Sequence, residues 1–144
     1  MTKRLHRTVS AQDGFTLVEL LVVLGIIALL AAVVAPQVLR YLSSAKSDAA
    51  AAQLKNIESA LELYYLDTGT YPKQEDGLPA LTAAPSGTPG WRGPYLKKSS
   101  ALMDPWGKPY LYKAPGDHGA FDLYSYGRDG AAGGEGDDAD LTNW

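Results

Sequence analysis

The feature that most constrains this chain is an apolar run, residues 15–35, that contains one ionisable side chain, Glu19. As an α-helix the run would be about 31 Å long, which matches a hydrocarbon core of roughly 30 Å. Lys3, Arg4 and Arg7 precede it, and basic residues on that side predict a cytoplasmic N-terminus. The sequence therefore predicts a membrane-spanning helix that carries an acidic side chain near its start.

Two ordinary explanations of this run leave Glu19 unexplained. A cleaved secretory signal has a shorter apolar region, of about 7 to 15 residues, followed by an A-x-A-like site. A simple signal anchor fits the length, but an acidic side chain in a membrane segment normally has a partner. Cleavage between Gly14 and Phe15 would create one, because a new α-amino group with a pKa of about 8 is largely protonated at neutral pH. This cation would lie about one helical turn from Glu19, or beside Glu19 of a neighbouring subunit.

The helix is expected to continue beyond the membrane segment. Pro36 follows the apolar run, and a proline in a helix interior removes a hydrogen bond and bends the helix. Apolar residues then recur at helical spacing, among them Ala49, Ala52, Ile57 and Leu61. Because Gly69 suits the position that follows a helix, we predict one helix over residues 16–66, bent near Pro36.

The remaining chain is typical of a small sheet with long loops. Prolines and glycines recur from Thr70 onwards, and alternating segments at 109–113 and 121–126 predict two strands joined by a turn at 114–119. Residues 75–83 predict a short helix. The expected fold is α+β, with the long helix packed on a small antiparallel sheet.

Near the C-terminus, glycines and acidic residues alternate within residues 126–140. A solvated acidic loop is one interpretation. A β-helix calcium repeat is disfavoured, because Asp140 occupies an apolar position of the nonapeptide and one copy cannot stack. A single calcium site is the third interpretation, since Ca²⁺ prefers six to eight carboxylate and carbonyl oxygens. The residues alone leave the first and third open.

Composition excludes several other functions. The net charge is −3, without the basic excess of a nucleic-acid-binding domain, and the sequence has no cysteine. The two histidines, His6 and His118, lie in the leader and in a predicted turn. No catalytic constellation is recognisable, so we expect a structural protein and not an enzyme.

The stretch Gly14-Phe15-Thr16-Leu17-Val18-Glu19 resembles the class III signal of type IV pilins and type II secretion pseudopilins. The resemblance implies that a prepilin peptidase cuts after Gly14 and N-methylates Phe15. It also implies that Glu19 takes part in assembly and that Pro36 marks the end of the membrane-spanning assembly helix.

The resemblance extends over residues 14–144. Over this range the sequence resembles one class of pilin-like protein in particular, the major pseudopilins, which are the G subunits of type II secretion systems. The segments that carry it are Gly69–Pro72, Asp76–Leu81, Pro94–Lys98, Asp104–Tyr110 and Ser125–Gly130. It implies a pilin-like fold with a leader at 1–14, a transmembrane and assembly helix at 15–36, and a periplasmic domain at 37–144.

Major pseudopilins bind Ca²⁺ in the loop that corresponds to residues 126–140. The resemblance therefore implies that Asp129 and Asp138 are side-chain ligands, that Asp140 is a further one, and that Asp137 is a candidate. The backbone carbonyls of Tyr126, Ala131 and Gly136 are expected to complete the shell.

The function implied is that of a subunit that polymerises into the periplasmic pseudopilus and drives the export of folded proteins across the outer membrane. The expected partners are further copies of the chain, minor pseudopilins, the prepilin peptidase, the inner-membrane assembly platform and the outer-membrane secretin, with no nucleic acid. The expected location is the inner membrane, with the C-terminal domain in the periplasm.

Three alternatives remain at the level of sequence. A type IV pilin would form a surface fibre, although such pilins usually carry a C-terminal disulfide and this chain has no cysteine. A minor pseudopilin is the second alternative, although the one at the fibre tip tends to lack the glutamate. A membrane-anchored calcium-binding module is the third, and it would require cleavage after Gly14 to be irrelevant.

Overall fold

The computed structural model describes residues 14–144, and its first element is one long helix, α1, Leu17–Thr68. This confirms the predicted helix over 16–66, and Pro36 lies inside it. The helix ends where a glycine was predicted to end it. Gly69 has a φ of +77° and donates its N–H to the carbonyl of Tyr65 at 2.8 Å, which is typical of a glycine after the last helical turn. The rest of the predicted leader lies outside the described residues.

The chain divides into two units, with the boundary between Leu39 and Arg40. In the first unit the side chains of α1, apart from Glu19 and Gln37, are apolar, and they are exposed on all sides of the helix. Among the described residues, α1 is the one helix long and apolar enough to cross a membrane, and none of its most apolar 18-residue window is buried. The predicted spanning segment, 15–36, falls within this unit.

The second unit, Arg40–Trp144, has its own hydrophobic core. The core joins one face of α1 to the following loops and to the sheet. Its buried members are Leu54, Ile57, Ala60, Leu61, Tyr64, Leu78, Ala80, Leu81, Tyr110, Phe121 and Leu123. Because all of these residues follow Arg40, the core is closed within this unit, and a fragment of residues 40–144 is expected to fold by itself.

The face of α1 that packs on this core differs slightly from the predicted face. Ile57 and Leu61 are buried as expected, but Ala49 and Ala52 are exposed. Ala50 and Leu54 are buried instead, which continues the same three- and four-residue spacing towards the N-terminus. The alanines were a poor guide because small apolar residues are tolerated on either face of a helix.

The sheet has three antiparallel strands in the order β1, β2, β3, and it confirms the predicted α+β fold. The strands are β1, Leu111–Lys113, β2, Asp122–Ser125, and β3, Leu141–Thr142. The predicted first strand began at Pro109, which instead forms an isolated bridge with Met103. β3 was not predicted, because two residues are too few to show alternation.

Within residues 14–144 three short 3₁₀ helices complete the fold: Leu78–Leu81, Ser99–Leu102 and Gly136–Asp138. The first lies within the predicted helix at 75–83 but is shorter, since Pro79 at its start and Thr82 at its end limit it to one turn. The third lies in the loop 126–140, which connects β2 to β3. The acidic loop is therefore anchored by a strand at both ends.

The turn between β1 and β2 is held by the buried carboxylate of Asp122. It accepts hydrogen bonds from the backbone N–H groups of Asp117 (2.9 Å) and His118 (3.1 Å), and it lies 3.1 Å from Nδ1 of the His118 ring. The His118 ring stacks on Trp144, with the centroids 4.1 Å apart. Burial by itself raises the pKa of Asp122, but these hydrogen bonds outweigh it and the pKa is lowered.

Candidate assembly and cation-binding sites

The predicted cleavage point lies immediately before α1. Gly14 and Phe15 are outside the helix and exposed, and 79% of the Phe15 surface is accessible. A Cβ added at Gly14 would meet no other atom within 4 Å. The peptide bond that joins the two residues is therefore open to an approaching protease.

Glu19 has a partner that the sequence analysis missed. Its Oε2 accepts hydrogen bonds from the Thr16 backbone N–H at 3.1 Å and from the Thr16 hydroxyl at 3.0 Å. In return, the Thr16 Oγ1 accepts from the Glu19 N–H at 3.2 Å. This is a reciprocal capping box, and the T-x-x-E spacing before an apolar run is its sequence signal. None of these bonds, which join described residues, uses Oε1.

The surface that follows Glu19 is suited to packing in an apolar environment. The large side chains between Leu20 and Val34 are exposed by 50% or more. A helix that is apolar all round is stable only in lipid or against other protein. The Glu19 carboxylate, which the capping box holds, thus lies at the start of an apolar surface that requires lipid or another protein to pack against it.

The acidic loop 126–140 starts with a close backbone approach at Gly127. Its φ is +66°, and a Cβ there would lie 2.9 Å from the carbonyl oxygen of Ala139. The next residue, Arg128, donates its N–H to the carbonyl of Asp137 at 2.7 Å. Glycine is required here because any side chain would separate the two ends of the loop.

The predicted carboxylate ligands make separate contacts. Asp138 accepts two hydrogen bonds from Arg128, from Nε at 2.9 Å and from Nη2 at 2.8 Å. Asp137 accepts from the hydroxyl of Ser47 at 3.3 Å. Asp129 accepts from the N–H of Ala131 at 3.0 Å.

The remaining predicted ligands are also dispersed. Asp140 accepts from the N–H of Gly133 at 2.9 Å, and the carbonyl of Gly136 accepts from the N–H of Ala139 at 3.3 Å. Tyr126 lies directly after β2, and Ala131 is exposed. Within residues 14–144 no three His, Asp or Glu side chains are arranged to hold a metal. The structure thus brings Asp137 and Asp138 to the guanidinium of Arg128, and the backbone of Asp129 lies beside the Asp138 carboxylate.

The carboxylate and carbonyl oxygens of this loop nonetheless suit a hard cation, and two positively charged side chains already lie among them. The guanidinium of Arg128 faces Asp138, and this ion pair lowers the pKa of the Asp138 carboxyl. The ammonium of Lys108 donates to the carbonyl oxygens of Arg128 at 2.5 Å and Gly127 at 3.4 Å. Carboxylate and carbonyl oxygens that attract these cations are of the kind that Ca²⁺ prefers.

A buried polar network fixes the start of this loop, and sequence reasoning did not find it. The Ser125 hydroxyl donates to Asp104 Oδ2 at 2.7 Å and accepts from the N–H of Gly127 at 3.2 Å. Asp104 Oδ1 accepts from the backbone N–H groups of Trp106 (3.0 Å) and Lys108 (2.8 Å). The turn at 104–107 therefore does more than change the chain direction, since it positions Lys108 beside the loop.

Comparisons with known proteins show the family of this chain. The family described as type II secretion system (T2SS), protein G, matches residues 37–144, and the prokaryotic N-terminal methylation motif matches residues 9–35. The type II secretion system core protein G of Pseudomonas aeruginosa is 48% identical over 137 residues, which cover 92% of this chain and 95% of that protein. The protein of the same name from Escherichia coli K12 is 40% identical over 143 residues, which cover 96% of this chain and 94% of that protein.

A solved structure shows the same relationship. The crystal structure of the major pseudopilin from the type 2 secretion system of enterohaemorrhagic Escherichia coli superposes with a TM-score of 0.58 at 34% sequence identity. The match covers 69% of this chain and 87% of that one. The chain belongs to the type II secretion system protein G family.

Proposed function

We propose that this chain is the major pseudopilin subunit that polymerises into the periplasmic pseudopilus of a type II secretion system. The observation that supports this most strongly is the exposed apolar surface of α1 in a chain whose second unit has a closed core. The globular unit does not need that surface for folding. Once a subunit leaves the bilayer, the exposed apolar surface of its α1 packs on the α1 helices of other subunits.

Assembly then proceeds by repeated addition of identical subunits. Each contact is heterologous, so the polymer remains open and can lengthen. The segments of residues 15–36 form its apolar core, and the globular domains lie outside. Growth from the inner-membrane platform pushes folded proteins through the outer-membrane secretin, and minor pseudopilins complete the fibre. The role of this chain is structural.

Processing provides the counter-ion for Glu19 in this proposal. A prepilin peptidase cuts after the exposed Gly14 and N-methylates Phe15, which creates a cation next to the capping box. Thr16 already orients the carboxylate through Oε2, so Oε1 can accept from the α-amino group of a neighbouring subunit. Pairing removes the cost of a lone charge inside an apolar bundle.

We also propose that the loop 126–140 holds Ca²⁺ through Asp129, Asp138 and Asp140, with carbonyls of Tyr126, Ala131 and Gly136. The support is the chemistry of the donors and the way the loop attracts Arg128 and Lys108. When bound, the ion would neutralise the carboxylates and link the loop after β2 to the segment before β3. The chain has no disulfide that could close this loop instead.

Gene deletion tests the proposed function directly. In the bacterium that encodes this chain, removal of the gene should leave exported proteins folded in the periplasm, and expression of the full chain should restore their release. As a control, the variant Glu58→Ala is expressed in the deletion strain. It changes an acidic residue of α1 outside the spanning segment and should restore release as the wild type does. Unchanged secretion in the deletion strain would contradict the proposal.

A further inference from the structure

The guanidinium of Arg128 contacts both acidic residues of the 3₁₀ helix Gly136–Asp138. It binds Asp138 through two parallel hydrogen bonds of 2.9 and 2.8 Å, and Nη1 lies 3.9 Å from Oδ2 of Asp137. The Arg128 backbone N–H also donates to the carbonyl of Asp137. A single residue therefore closes the loop 126–140 through its side chain and its main chain.

We propose that Arg128 is an internal counter-ion that competes with the divalent cation for Asp138, so that binding of the ion requires the guanidinium to leave. This inference rests on the proposed calcium site and adds a determinant of its affinity. The cation that competes with Arg128 is a divalent ion that prefers hard oxygen ligands. Ca²⁺ is the ion used to test its binding.

The geometry makes the two partners mutually exclusive. A two-pronged arginine contact uses both oxygens of the carboxylate on the side where they converge. A calcium ion would bind these oxygens at about 2.3–2.6 Å. An ion and a guanidinium on the same edge of Asp138 would be within a few ångströms of each other, and their like charges would repel. The ion pair must therefore open before Asp138 can bind the ion through both oxygens of that edge.

Lys108 does not compete in the same way. Its ammonium donates to the carbonyls of Gly127 and Arg128 and not to a predicted carboxylate ligand. Its backbone N–H is fixed by Asp104. The charge of Lys108 also faces Asp138, but its hydrogen bonds to the two carbonyls can stay in place when a cation binds to the carboxylates. Arg128 is therefore the side chain whose hydrogen bonds must change.

The size of the effect follows from the exposure of the pair. The Arg128 side chain is 60% exposed and that of Asp138 is 28% exposed, so water screens their attraction. Exposed ion pairs contribute modestly, which corresponds to a change in Kd of about threefold. The internal pair would thus weaken calcium binding by a few-fold while it keeps the loop closed at low calcium.

The test is a calcium titration of the full chain in nonionic detergent by isothermal calorimetry. Arg128→Gln should lower the Kd for Ca²⁺ by about threefold, and Arg128→Lys, which cannot form the two-pronged contact, should give an intermediate value. Arg92→Gln removes the same charge outside the loop and should leave the Kd unchanged. In the presence of a chelator, Arg128→Gln should also melt at a lower temperature than Arg92→Gln.

An NMR measurement reports the contact itself. The Arg128 Nε–Hε signal should show a hydrogen-bonded proton in chelator and lose that protection when calcium is added. A Kd for Arg128→Gln that equals or exceeds that of the wild type would overturn the role of Arg128 but not the calcium site. Absence of binding in both the wild type and Arg128→Gln would overturn the calcium site, and the proposal for Arg128 with it.

Discussion

Ser125 and Asp104 share a buried hydrogen bond of 2.7 Å across 21 positions of the chain. Asp104 is 5% exposed and Ser125 is 1% exposed, so water does not compete for either group. The bond ties the turn 104–107 to the end of β2, where the acidic loop begins. It shows that the loop is anchored by a polar group in the interior and not only by its flanking strands.

Removal of this hydrogen bond should destabilise the globular unit. Ser125→Ala leaves a buried Asp104 oxygen without its donor, and the free energy of unfolding should fall by about 1–3 kcal/mol. Urea unfolding of residues 40–144 measures this change. Ser100→Ala, at an exposed position, is the control and should change the midpoint little. Equal midpoints for both variants would show that the bond contributes nothing to stability.

Asp122 should make stability depend on acidic pH. Its pKa is lowered in the folded chain, so its contribution is present above the unfolded value of about 3.9. That contribution is lost as the pH falls through the lower, folded value. The melting temperature of the wild type should therefore fall more steeply below about pH 4 than that of Asp122→Asn. Asp48→Asn, an exposed acidic residue of α1, should keep the wild-type slope, and identical slopes for all three would refute the assignment.

Chelation should destabilise the globular unit if the loop 126–140 holds calcium. EGTA should lower the melting temperature of residues 40–144, and excess Ca²⁺ should restore it, since a ligand that binds only the folded state stabilises it. Asp129→Ala should melt like the chelated wild type and should no longer respond to EGTA. Glu75→Ala removes an acidic residue outside the loop and should respond as the wild type does. A wild-type melting temperature that chelation does not change would rule out the calcium proposal.

The mature chain should begin at Phe15. Mass spectrometry of the protein isolated from membranes should find an N-terminal peptide that starts with N-methylated Phe15. Gly14→Ala adds a side chain at the residue before the cut and should accumulate the uncut chain. A wild-type protein that retains Met1 would mean that the chain is a simple anchor.

The sequence predicted the parts of the fold that depend on local patterns. The apolar run, Gly69 and the two longer strands each give a signal within a few residues, and the structure confirms the helix and the sheet they predict. The capping box of Thr16 and Glu19 has an equally local signal, its T-x-x-E spacing, but the sequence analysis overlooked it. Each of these features depends on residues that are close together in the sequence, so a local sequence pattern is enough to predict it.

Contacts between distant residues could not be read in the same way. The pair of Ser125 and Asp104 depends on a sheet bringing two loops together, and neither residue type indicates the other. The preference of Arg128 for Asp138 over solvent depends on the backbone of the 3₁₀ helix Gly136–Asp138. Carboxylates in a glycine-rich loop predict that a cation is attracted, but they do not determine which cation or which of them bind it.

The most direct test of the account concerns the charge of Glu19. Glu19→Gln keeps an acceptor for the capping box, since glutamine serves at that position, but it removes the charge that would pair with a neighbouring α-amino group. Thr16→Val is the complementary variant, because it removes the hydroxyl of the capping box and keeps the charge.

Both variants and the wild type should be compared in cells that assemble the secretion apparatus, by measuring the fraction of the chain recovered in fibres. Glu19→Gln should insert into the membrane and be cut before Phe15, yet be absent from fibres, while Thr16→Val should assemble at a reduced level. If Glu19→Gln formed fibres as the wild type does, assembly would need no charge pair, and Glu19 would not have the role proposed for it.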